Sequence, residues 1–171
     1  SDQVTYGTGT VGGQDAFGVN WVDVGYFSSD DKLNSFQLVL IDRSDIAAGD
    51  FDFEFNYDKI EWETGSASGG SGGLGGNSAR AGFSNGTGDP GTFLELTGSA
   101  VNGAFLDGGP NALISGSRNS AVDGQYVFEV RSGSVTPVAP VPLPAALPLV
   151  LVGLGALGGL GALRHRKKVA A

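Results

Sequence analysis

Several groups of residues have the types and spacing that chemistry needs. Gly69-Gly70-Ser71-Gly72-Gly73 and Gly82-Phe83-Ser84-Asn85-Gly86 both match the G-x-S-x-G pattern that presents a nucleophilic serine. A serine relay also needs a histidine as general base. The only histidine is His165, beyond a long apolar run, so it serves neither serine. Gly7-Thr8-Gly9-Thr10-Val11-Gly12 and Gly86-Thr87-Gly88-Asp89-Pro90-Gly91 match G-x-G-x-x-G. No helical pattern follows either, so no helix N-terminus is there to receive a pyrophosphate. With 30 glycines in 171 residues, all four matches follow from composition.

Carboxylates leave more room. A glycosidase needs two of them placed across a sugar, and Asp52, Glu54, Glu61 and Glu63 lie close in sequence. Alternation puts Asp52 and Glu54 on one face of a strand, where a solvated face explains them without catalysis. Asp42, Asp45, Asp50 and Asp52 fall within eleven residues around Ala47-Ala48-Gly49 and are the candidate calcium ligands. Calcium takes several oxygens from flexible loops, but the spacing is not that of an EF-hand. A polar hairpin loop uses the same residue types for turn formation. Trp21, Tyr26 and Trp62 would stack on sugar rings if exposed and would fill a core if buried. No catalytic constellation and no cofactor follow from these residues.

The elements that position them read as β-strands. Phe51, Phe53, Phe55 and Tyr57 alternate with polar residues, and the apolar positions then shift parity at Ile60 and Trp62. That shift predicts a bulge or turn near Asp58-Lys59. Phe17, Val19 and Trp21 change parity in the same way before Val22, Val24 and Tyr26. Asn34 to Ile41 is nearly continuous, as in a central strand covered on both faces. Val4-Thr5-Tyr6 opens a strand, and Gln125 to Arg131 turns Tyr126, Phe128 and Val130 inward. Asn85-Gly86, Asn102-Gly103, Asp107-Gly108 and Asp123-Gly124 are turn signals. Thr64 to Gly91, with 11 glycines in 28 residues, is expected to be mostly loop, with one short strand at Ala79–Phe83. The expected fold is all-β: an antiparallel sandwich or barrel-like domain over residues 1–131.

Residues 132–140 read as a Ser/Thr/Pro linker. After it, Val141, Pro142, Leu143, Pro144 and Ala145 form a proline-bounded motif. Residues 145–163 carry no charge over 19 residues, enough for a single transmembrane helix, and Arg164, Arg166, Lys167 and Lys168 form a basic stop. By the positive-inside rule the tail stays cytoplasmic and the body lies outside. Gly155 and Gly159 form a G-x-x-x-G pair, a weak pattern in so glycine-rich a run. The 18 acids all precede the tail and face six cations there, leaving the body at −12 and the tail at +4. So acidic a body repels nucleic acid. There is no cysteine, hence no disulfide framework. The opening Ser1-Asp2-Gln3-Val4 is not an export signal, and the chain is expected to be processed or a fragment.

The tail resembles the PEP-CTERM class of bacterial sorting signals, in the VPLPA-CTERM variant named for residues 141–145. The resemblance implies an exosortase-type sorting enzyme as partner, removal of the tail, and delivery to the cell surface or exopolysaccharide. The body carries a second resemblance. Asn34-Ser35-Phe36-Gln37-Leu38-Val39-Leu40, Asn56-Tyr57-Asp58-Lys59-Ile60-Glu61-Trp62-Glu63-Thr64-Gly65 and Ala79-Arg80-Ala81-Gly82-Phe83 are similar to strands of the nidogen-like (NIDO) domain. The similarity runs from about Val4 to Val130 and covers what looks like the C-terminal part of that domain. It implies an extracellular, non-enzymatic module of matrix and adhesion proteins and transfers no active-site residues. The expected function is a structural or adhesive surface domain, with a glycan-binding module, calcium-assisted or not, as the alternative.

Overall fold

The computed structural model describes residues 2–27 and 29–136. The candidate motif 141–145, the apolar run 145–163 and the basic stop 164–168 lie outside the described residues.

Eight strands follow one another: β1 (Thr5–Val11), β2 (Gln14–Tyr26), β3 (Ser29–Asp42), β4 (Phe51–Ile60), β5 (Gly82–Ser84), β6 (Phe93–Glu95), β7 (Gln125–Arg131) and β8 (Ser134–Val135). Six form one sheet in the order β1-β2-β3-β4-β7-β8, with every neighbouring pair antiparallel. Residues 61–124 leave the sheet after β4 and return before β7, carrying the β5–β6 ribbon and two 3-10 turns, Ser66–Ser68 and Leu113–Ser115. No α-helix occurs among the described residues. The expected all-β antiparallel class holds. The expected sandwich does not: the second layer is irregular chain with a two-stranded ribbon, because glycine costs more entropy to hold extended and brings no side chain to pack.

Local chemistry explains the strands. Gly12 and Gly13, both at positive φ, close the β1–β2 hairpin between Val11 and Gln14, the backbone a tight two-residue turn requires. Both parity shifts are bulges. Asp58 is the extra residue opposite Ser35 and Phe36, and Val22-Asp23 holds the other, between the Trp21–Phe36 and Val24–Asn34 pairs. The two bulges flank the same point of β3. Asp23, at φ 48°, donates its N–H to Ser35 Oγ (3.0 Å) and pairs through its carboxylate with Lys59. That Lys59 hydrogen bond, with a second from Ser35, holds the Asp23 carboxyl below its usual range.

The register sets two rows of side chains on the front face: Tyr6, Val19, Leu38, Phe55, Tyr126 and Thr8, Phe17, Leu40, Phe53, Phe128. The 61–124 segment covers only the β4–β7 side of these rows. Phe53 stacks on Phe128 at 4.9 Å, and Phe83 meets both edge-on at 5.3 and 5.1 Å. Phe105, Leu113 and Ile60 complete the core. Along the second row exposure falls from 38% at Phe17 and 39% at Leu40 to 7% at Phe53 and 2% at Phe128. The front face of β3 at Leu40 is therefore uncovered while Val39 and Ile41 beside it are buried, against the expectation of a strand covered on both faces.

Buried polar groups fasten the segment down. Glu63 accepts from Ser78 Oγ (2.5 Å) and the N–H groups of Gly103 and Phe105 (both 2.7 Å). Asn34 accepts from the N–H groups of Glu61 and Trp62 and donates to the Trp62 carbonyl, continuing β4's hydrogen bonding past its bulge. The Ile60 N–H donates to Asp107 Oδ1 at 2.9 Å.

Candidate functional site

The front face carries two concavities. A cleft of about 320 Å³ lies where the sheet meets the 61–124 segment, lined by Trp21, Phe36, Tyr57, Trp62, Arg80 and Ala81 among others. A shallow trough of about 730 Å³ lies over the uncovered strands, between Thr8, Phe17, Leu40 and Phe51. The β2 bulge decides the first of these. It leaves Trp21 on the front face, stacked on Phe36 at 5.0 Å and 14°. Trp62 donates Nε1–H to the Val24 carbonyl (2.9 Å), so its polar edge is engaged within the fold. Tyr26 tilts against Trp62 at 5.9 Å and donates to Asp31 Oδ1, which raises the phenol above its usual range. The three aromatics singled out in the sequence thus form one neighbourhood, half-buried rather than fully exposed or fully core.

Burial pushes the Tyr57 phenol up to about 12, with the neighbouring Tyr126 adding to the effect. Arg80 at the rim pairs with Glu95 and Glu63 is saturated by three donors, so the cleft offers apolar surface with few free polar groups.

The four candidate calcium ligands do not converge. Asp42 accepts from Ser44 (Oγ, 2.6 Å; N–H, 3.0 Å), which holds its carboxyl below the usual range. Asp45 pairs with Arg43 Nε at 3.1 Å. Asp50, buried, accepts the Ser132 N–H at 2.9 Å. Asp52 lies between two guanidiniums, Arg43 on Oδ2 and Arg131 on Oδ1, both at 2.7 Å. Arginine occupies the place a cation would take, and among the described residues no three acidic, histidine or cysteine side chains gather as a metal site. Asp52 was expected on a solvated face; it is buried because these arginines and the residues around them enclose it.

The other carboxylates are spread out. Glu54 accepts from Gln125 on the back face (3.3 Å), Glu61 accepts the Leu33 N–H (2.7 Å), and Glu63 faces the cleft. Ser71 sits in a tight turn bridged to Leu74, and Ser84 Oγ accepts the Gly86 N–H. The G-x-G-x-x-G segments are followed by β2 and β6, both strands. One polar feature escaped the sequence reading: a back-face amide ladder in which Gln37 donates to Asn20 (2.6 Å) and Asn56 to Gln37 (3.0 Å). Only the strand register brings these three amides into line.

Residues 3–132 match the family profile of the nidogen-like domain. Alpha-tectorin of Mus musculus and of Homo sapiens are each 37% identical to the chain over 127 residues, and that of Gallus gallus is 34% identical. Each alignment covers 71% of this chain and 5% of the relative, so the chain spans about one twentieth of the curated proteins it matches. No solved structure matches it. Over its folded body, the chain belongs to the nidogen-like domain family.

Proposed function

We propose that this chain is an exported, non-enzymatic surface or matrix protein whose nidogen-like domain has a structural or adhesive role. The observation that carries the reading is where the reactive groups are used. Asp52, Glu63 and the other carboxylates singled out as chemistry-bearing are engaged in holding strands and loops together. Family membership over residues 3–132 supports the extracellular setting. The tail supplies the route: Val141–Ala145 is the motif for an exosortase-type sorting enzyme, residues 145–163 cross the membrane, and the basic stop stays in the cytoplasm. Exopolysaccharide or other surface proteins are the partners, and the body at −12 excludes nucleic acid. The test is the intact mass of the mature protein from its native cells, measured in membrane and extracellular fractions. A C-terminus near Pro142–Ala145 with the body outside is expected. A full-length chain kept in the membrane leaves a plain anchor and ends the sorting reading.

A second reading is favoured by one observation: Trp21 and Trp62 line the same cleft. Such a pair suits a sugar ring held by stacking, without calcium because Glu63, the acid that lines the cleft, is taken up by Ser78, Gly103 and Phe105. Saturable binding of the native exopolysaccharide, lost in Trp21→Ala, is the expected result. Equal binding by the variant and the parent removes this reading.

A further inference from the structure

An asparagine followed by glycine carries a reaction of its own. The glycine nitrogen adds to the asparagine side-chain carbonyl carbon, and no Cβ on the glycine crowds the approach. Only Asn85 and Asn102 precede glycine in this chain. The fold holds these two pairs in opposite ways.

Asn85-Gly86 lies in the loop that joins β5 to β6, and Asn85, Gly86 and Thr87 are all exposed. Both reacting residues bond to near neighbours. The Asn85 N–H donates to the Thr92 carbonyl (3.0 Å) and the Gly86 N–H to Ser84 Oγ (3.0 Å). Asn85 Oδ1 accepts the N–H and the hydroxyl of Thr87, both at 2.9 Å. Donors on that oxygen stabilise the negative charge that forms there when Cγ is attacked. A Cβ added at Gly86 would meet nothing within 4 Å, so the attacking residue has room to turn.

Asn102-Gly103 is tied at both reacting ends to distant chain. Asn102 Oδ1 accepts the Gly75 N–H, and the Gly103 N–H donates to Glu63 Oε2, both at 2.7 Å. Glu63 is buried and also receives Ser78 and Phe105. To attack, the Gly103 nitrogen has to leave a buried carboxylate that depends on it.

We propose that Asn85 is a deamidation site, at which the folded chain converts its own asparagine to aspartate and isoaspartate while Glu63 holds Asn102-Gly103 unreacted. The Gly86 nitrogen gives up its proton and adds to Asn85 Cγ. The new N–Cγ bond closes a five-membered succinimide, the Cγ–Nδ2 bond breaks, and Nδ2 leaves as ammonia with a proton returned to it. Water then opens the ring. Breaking the N–Cγ bond gives aspartate. Breaking the bond from that nitrogen to the main-chain carbonyl carbon gives isoaspartate. Water is the only co-reactant, and nothing is oxidised or reduced. Each event adds a negative charge to a body at −12, in the loop that already carries Asp89. The inference needs only the folded chain and water, so it does not depend on export or sorting.

The test keeps the full chain warm in mild detergent at mildly alkaline pH. Peptide mass mapping follows the amide-to-acid mass gain at each asparagine. Asn85 should convert first, as a mixture of aspartate and isoaspartate. Asn102 should be at least roughly tenfold slower, the factor set by giving up one hydrogen bond to a charged group. A parallel sample unfolded in urea removes the Glu63 contact, so there Asn102 should speed up and the two rates should draw together. Asn102 converting as fast as Asn85 in the folded chain overturns the inference. So does a preference for Asn85 of the same size in urea, because the selectivity would then owe nothing to the fold. Neither result bears on where the mature chain ends or where it is found, so the structural reading stands or falls separately.

Discussion

Glu63 is 5% exposed, yet its two oxygens receive three donors. An amide cannot replace the carboxylate there. In either orientation the new NH₂ faces a backbone N–H, leaving a buried donor without an acceptor. Glu63→Gln should lower the stability of the domain by about 2–3 kcal/mol, read as a lower urea midpoint with an unchanged slope. Tyr57 gives a pH test. Its phenol is pushed up to about 12 in the folded chain against about 10 when unfolded, so folding favours the neutral form. The stability this contributes is complete below pH ~10 and is lost as pH rises toward ~12, amounting to about 2 kcal/mol. Tyr57→Phe should flatten that alkaline decline in a series of unfolding curves. Some slope should remain, because burial raises Tyr126 in the same direction.

Asp52 acts at the scale of elements, since it ties Arg43 after β3 and Arg131 at the end of β7 to β4 between them. Asp52→Asn removes the counter-charge that two half-buried guanidiniums share, leaving Arg43 with Asp45 and Arg131 with Glu129, and should cost about 1–3 kcal/mol. Added calcium should leave the melting temperature of the parent unchanged, since arginine holds Asp45 and Asp52 while Ser44 and Ser132 engage Asp42 and Asp50; a rise of several degrees would reinstate a metal site. The element scale also shows what could be read from the sequence. The alternation from Phe51 to Tyr57 located β4, and the parity shifts located both bulges, because a period of two leaves a visible break when one residue is added. All four Asn/Asp-Gly turn signals have their glycine at positive φ, but only Asn85-Gly86 joins two paired strands. The short strand expected at 79–83 forms at Gly82–Ser84, and its partner β6 gave no signal. Phe105 and Leu113 cap the core from isolated positions in irregular chain and a 3-10 turn, where no period marks them. The Asp52–Arg131 pair joins residues 79 apart in sequence, so local pattern indicated a wet face where the fold makes a buried one.

For the domain as a whole, the uneven cover over the sheet predicts uneven stability. Phe17 and Phe128 occupy the same cross-strand row, one beyond the edge of the 61–124 segment and one beneath it. Phe128→Ala empties a packed position and should cost about 3–5 kcal/mol. Phe17→Ala removes a ring already 38% exposed and should cost about 1 kcal/mol, because less area returns to water and no cavity forms. Amide exchange should show the same gradient. β4 and β7, hydrogen-bonded on both sides and packed under Phe83 and Phe105, should open only with global unfolding. β1, paired on one side and exposed throughout, should exchange through local fraying.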